Sequence, residues 1–172
     1  AAQLIERAAS RPDASPDVMY YLGLLRDRQG RQGEASLAFL RTRHLDGLLP
    51  QAPWSPSHSR FEKVVQGALR ELPEELAKRL EGNLIMVTEL PGIEIVAEGV
   101  DPRTPLLLDE LTSQGSGEEH RRLFIYQRNI ERLIRHPLEL QQDVLEVLQR
   151  ELDAHFKRPS QPAPGAKFST NQ

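Results

Sequence analysis

The segment Leu138–Phe156 constrains the fold more than any other part of the chain. Val144, Leu145, Val147, Leu148, Leu152 and Phe156 recur at helical spacing, while Glu139, Asp143, Glu146, Arg150 and Asp153 fall at alternating four- and three-residue steps on another stripe. A helix of this kind has to cover its apolar side against a neighbouring element. The chain has 172 residues, 38% hydrophobic and 27% charged, enough for one compact domain of ordinary size or two small ones.

Several function classes fall away on composition. The net charge of −3 gives no bulk electrostatic case for nucleic acid or for an anionic membrane. No apolar run approaches the roughly 20 residues that span a bilayer, and no secretory signal is visible. The absence of cysteine rules out disulfides, Cys-ligated zinc and a thiol nucleophile. The expectation is a cytoplasmic protein with a protein or peptide partner, no nucleic acid, no membrane and no cofactor.

Residues 1–50 read as helices, with Asp17–Gln29 and Gln32–Asp46 paired about a turn at Gly30 and Gly33. Leu22-Gly23, Ala35 and Phe39 lie at tetratricopeptide-repeat spacing within Pro16–Leu49, so small residues would let the helices approach while Leu22 and Phe39 fill between them. An unrelated helical hairpin is the alternative. One and a half repeats cannot bury their own face, so Leu22, Leu25, Phe39 and Leu40 are expected to dock on the rest of the chain or on a partner.

Residues 51–59 form a linker with Pro53, Pro56 and the lone Trp54, which either pins the linker into a groove between domains or anchors a partner. Ser59 is the expected cap of the next helix, with Glu62 three residues on. Strands are expected at Leu84–Thr88 and Leu123–Gln127, with a weaker one at Ile93–Ala97. Asp101–Glu119, with Pro102, Pro105 and Gly115-Ser116-Gly117, reads as a long mobile loop, and 159–172 as a disordered tail. The glycine run lacks the lysine of a phosphate loop. The basic run His120-Arg121-Arg122 reads as solvated.

On the helix Leu138–Phe156, the order Arg150-Glu151-Leu152-Asp153-Ala154 has the shape of a zinc-peptidase motif without its ligands. That chemistry needs two histidines one turn apart and a glutamate after the first to deprotonate the metal-bound water. Glu151 is in place, but Arg150 keeps its proton at neutral pH and Ala154 has no donor atom. Either the charged stripe is a solvated face, with Glu146 supporting Arg150 at i,i+4, or it faces an old substrate cleft.

From Arg60 to Phe156 the sequence resembles the small bacterial zincin-like metallopeptidase ("minimal metalloprotease") family. The resemblance rests on Phe61-Glu62-Lys63-Val64-Val65, Ala68-Leu69-Arg70-Glu71-Leu72-Pro73, the strand Leu84–Thr88, the strand-to-helix run Leu123–Arg128, and Val147–Lys157. It implies an α+β fold: a zincin-like domain over 60–158, a small sheet packed on helices, behind tetratricopeptide-like helices. It also implies a downstream acidic zinc ligand where this chain has Pro159 or Ser160, and it matches His155 to a histidine that is not a ligand.

Two function classes follow. The first is a non-catalytic protein-interaction module on a metallopeptidase-derived scaffold, with Trp54, Arg150, Asp153 and His155 as partner-binding candidates. The second is a metal-dependent peptidase or hydrolase with an unconventional site built from Glu151, Asp153 and His155.

Overall fold

The computed structural model of the chain describes residues 2–111 and 120–157. It is a mixed α+β structure in which a three-stranded sheet is backed by helices. The proposed tail, residues 159–172, and the Gly115-Ser116-Gly117 run lie outside the described residues.

Three helices come first: α1 (Ala2–Ala9), α2 (Pro16–Arg28) and α3 (Gln32–Leu48). Helix α2 starts where the sequence gives it a cap and a pre-set φ: Ser15 Oγ accepts from Val18 N–H at 3.3 Å, and Pro16 occupies the first helical position. The close approach expected at Gly23 is present. A Cβ there would lie 2.4 Å from the Phe39 ring, so only glycine lets α2 and α3 pack around that ring.

Next come α4 (His58–Arg70), α5 (Glu74–Leu80), β1 (Leu84–Thr88), α6 (Ile93–Ala97), β2 (Leu106–Leu111), β3 (His120–Tyr126) and α7 (Gln127–Glu131). A 3-10 turn at Pro137–Glu139 leads into α8 (Leu140–Lys157). The sheet order is β1-β3-β2, with β1 parallel and β2 antiparallel to β3. Strand alternation sends Ile85, Val87, Leu106, Leu108, Leu123 and Ile125 to the inner face. There they meet Phe61, Val65 and Ala68 of α4, Leu76 and Leu80 of α5, and Val144, Val147, Leu148 and Leu152 of α8. This shared core is the cover that the amphipathic segment demanded.

Four local expectations are corrected. Helix α4 is capped by Ser57, whose Oγ accepts from Arg60 N–H at 3.4 Å, and not by Ser59. Ile93–Ala97 is a helix, not a strand. Val96 N–H bonds back to Gly92, and Gly99 at φ +104° lets Val100 N–H close on Ile95 O at 3.0 Å. The fully buried Val96 packs with Ala35 and Phe39 of α3, so tertiary packing overrides the β-branched composition. The loop expected over Asp101–Glu119 contains β2. Its three successive leucines do not alternate because both faces are used: Leu106 and Leu108 face the core, while Leu107 lines a cavity on the outer face. Gln127 opens α7 and is not part of the strand.

The N-terminal helices dock on the remainder of the chain. Phe39, Ala35 and Val96 form a small apolar cluster with Tyr20, Leu24 and Leu40 against it. Leu22 and Leu25 are half-buried outside that cluster. The polar half of the junction centres on Asp46, whose side chain is 0% exposed. It takes a two-pronged contact from Arg103, at 3.0 and 3.1 Å, and a third from Arg132 at 2.6 Å. Arg128 Nη1 donates to the Asp46 and Leu49 carbonyls at the end of α3, at 3.0 and 2.8 Å. Arg103 also reaches Asp17 at 2.8 Å and stacks 4.7 Å from the Tyr20 ring, while Tyr20 Oη donates to Asp101 at 2.8 Å. Burial pulls the Arg103 pKa down, but the hydrogen bonds to Asp46 and Asp17 outweigh it and hold the guanidinium above its ordinary value. Among the described residues no helix is long and apolar enough to cross a membrane.

Candidate functional site

Helix α8 is positioned at its start by Asp143. Asp143 Oδ2 accepts from the backbone N–H groups of Arg135 and His136, both at 2.7 Å, and Oδ1 lies 3.2 Å from His136 Nδ1. Burial alone would raise its pKa, but the two backbone N–H bonds and the His136 ring hold the carboxyl below the ordinary value. Asp143 is therefore a buried clamp, a correction to the solvated stripe expected from Glu139 to Asp153.

Further along the helix, Arg150 and Ala154 stand one turn apart, and both are exposed. The Arg150 side chain is 57% exposed, and its Nε lies 3.4 Å from Glu151 Oε1. The expected i,i+4 support from Glu146 is replaced by this neighbour contact, and Glu146 accepts from Gln142 at 3.4 Å. Glu146, Gln149, Arg150, Asp153, Ala154 and Lys157 line an open depression along α8. A cleft of about 110 Å³ adjoins it, where Leu133 and Arg135 face Asp143, Glu146, Val147 and Arg150. The depression carries Glu146 and Asp153 against Arg150 and Lys157, so its charge is balanced and patterned rather than of one sign.

His155 sits at the far end of the helix, edge-on to Phe156 at 5.3 Å, and the Arg79 guanidinium covers the Phe156 ring at 4.8 Å. Glu151 and His155 share one side of α8. Asp153 lies about 200° around the helix from Glu151, at roughly 100° per residue. The three residues of the unconventional metal site are thus not brought together, and among the described residues no group of three or more His, Asp or Glu side chains could hold a metal ion.

Trp54 is 37% exposed and borders a groove of about 180 Å³ with Asp46, Leu49, Arg128, Glu131 and Arg132. It therefore stands where α3 meets α7, remote in sequence from the α8 candidates. Ser55 Oγ donates to Glu131 at 2.8 Å and Gln127 Nε2 donates to the Pro56 carbonyl at 3.1 Å, which ties the linker to α7.

Two groupings of side chains are not apparent from local sequence patterns. The Asp46 junction gives no local signal, because its arginines come from positions 103, 128 and 132. The second is the outer face of the sheet. Arg122, taken as solvated, lies in β3 with Asp109 2.5 Å away and the Phe124 ring 5.3 Å away. The alternation Arg122-Phe124-Tyr126 opposite Leu107 and Asp109 was the available clue, masked by the assignment of 101–119 to a loop. No family model matches the chain, and no curated protein matches its sequence.

Proposed function

We propose that the chain is a non-catalytic interaction module: a metallopeptidase-like α+β scaffold without its zinc ligands, fronted by a tetratricopeptide-like hairpin, that binds a protein or peptide partner. The observation that carries this reading is the pair Arg150 and Ala154, exposed one turn apart on α8 at the positions where the motif needs histidines. Glu151, the residue such a motif would use as base, is occupied by Arg150 at 3.4 Å. A second feature suits an extended peptide. Strand β1 is an edge of the sheet, and it leaves Leu84 59% and Met86 37% exposed, which a partner strand would cover while pairing with the open backbone. Arg150, Asp153, His155 and Trp54 remain the side chains proposed to meet the partner.

The test pairs two variants. Arg150→His with Ala154→His recreates two ligands around Glu151 and should bind zinc weakly, because two protein ligands fall short of a native site. A folded double variant that binds no zinc removes the support for a zincin-type helix. Partners captured by the intact chain should be lost from Arg150→Glu with Asp153→Lys. Undiminished capture would contradict the assignment of the binding face to α8.

A further inference from the structure

The outer face of the sheet, opposite α8, holds a cavity. It measures about 630 Å³, inside the range of small-molecule sites. Leu107, Phe124 and Tyr126 rise from β2 and β3, and Leu90, Ile95 and Val100 close over them from α6 and its flanks. A space of this volume exceeds the small voids left between packed side chains.

The polar groups define what the cavity would take. Tyr126 is 1% exposed, and its Oη is buried with no hydrogen-bond partner. Arg122 has a second orphan: Nη2 reaches Asp109, but the buried Nε has no partner. Buried polar atoms normally find one, so two unpartnered donors on a single cavity are unfinished by protein alone. Burial and the nearby Asp109 push the Tyr126 pKa up to about 12, which keeps the phenol protonated and able to donate at neutral pH. Asp109 already neutralises Arg122, and the exposed Glu98 adds a negative charge at the rim. An anionic head group would therefore meet no spare cation among the described lining residues.

We infer that this cavity is a binding site for a neutral, ring-bearing apolar small molecule whose carbonyl, ether or ring-nitrogen acceptor takes hydrogen bonds from Tyr126 Oη and Arg122 Nε. The Phe124 and Tyr126 rings lie parallel within 6° of each other, with centroids 6.5 Å apart, and offer aromatic faces against which such a ring stacks. The site is independent of the α8 reading, since it lies on the opposite face of the sheet and shares no residue with it.

The probes are Prodan, a neutral naphthalene ketone, and the anionic naphthalene sulfonate ANS, titrated against the intact chain by fluorescence. Prodan should bind saturably with blue-shifted emission, and ANS at least tenfold more weakly. Tyr126→Phe should weaken Prodan roughly three- to tenfold, the equivalent of one hydrogen bond. It should also raise the Tm of the unliganded chain by about 2–4 °C, because an unpartnered hydroxyl is removed. Leu107→Trp, which narrows the cavity, should weaken Prodan more than tenfold. Absence of saturable Prodan binding to the folded chain overturns the inference. So does binding unchanged in both variants, which places the probe elsewhere, and so does ANS binding as tightly as Prodan. If Leu107→Trp does not fold, Tyr126→Phe decides alone.

Discussion

Replacing Asp46 by Asn tests whether the N-terminal helices are locked to the sheet domain by charge. The Asp46 carboxylate is 0% exposed and receives three contacts of 3.1 Å or less from Arg103 and Arg132. Removing one partner of a buried ion pair costs about 3–5 kcal/mol, because the remaining charge loses its partner away from water. Two features move the expectation to the lower end. The Arg132 side chain is 32% exposed and can rehydrate, and Arg103 keeps its 2.8 Å contact with Asp17. Asn also preserves shape and one acceptor oxygen. The expected loss is therefore about 3 kcal/mol, or a fall in Tm of roughly 6–12 °C at 2–4 °C per kcal/mol for a chain of this size. Urea unfolding followed by circular dichroism measures it. Neutralising the surface pair Arg11–Asp13, 70% and 71% exposed, gives the control and should change stability by less than about 0.5 kcal/mol. Proteolysis should sharpen the point: cleavage in 51–57 should accelerate in Asp46→Asn and not in the control. An Asp46→Asn variant within 0.5 kcal/mol of the parent, with unchanged cleavage, would refute the claim that this junction is held electrostatically.

Gly23→Ala should destabilise by about 1–3 kcal/mol, because its Cβ would stand 2.4 Å from the Phe39 ring; thermal unfolding checks it, and a neutral result would show that Phe39 moves aside freely. Asp143→Asn should destabilise at pH 7. Since the folded pKa of Asp143 is depressed below 3.8, its contribution is complete above that value and lost as pH falls through the folded pKa, so the gap between variant and parent should close in acid. A pH-independent gap would assign the effect to packing.

Periodic signals are legible in this sequence and non-local ones are not. The apolar face of α8, the strand at Leu84–Thr88 and the α2–α3 pair follow from spacing within one segment, and the structure contains each. The β2 strand is not legible because Leu106-Leu107-Leu108 serves two faces at once and closely follows Pro102 and Pro105. Ile93–Ala97 was misread because the contact that decides it, Val96 against Phe39, spans widely separated positions. The same limit applies to the site. The juxtaposition of Arg150 and Ala154 is intrinsic to a helix and was legible. The burial of Asp143 depends on the chain turning back at Arg135 and His136, which no helical spacing encodes. The cavity walls come from β2, β3 and α6, so none of it was visible until two of those elements were correctly placed.

The zinc content of the purified intact chain, measured after exposure to zinc and exhaustive buffer exchange, tests the central claim most directly. A scaffold with Arg150 and Ala154 at the ligand positions should retain far less than one zinc per chain, and chelator should leave its unfolding curve unchanged. Near-stoichiometric zinc, lost together with stability on chelation, would contradict the account.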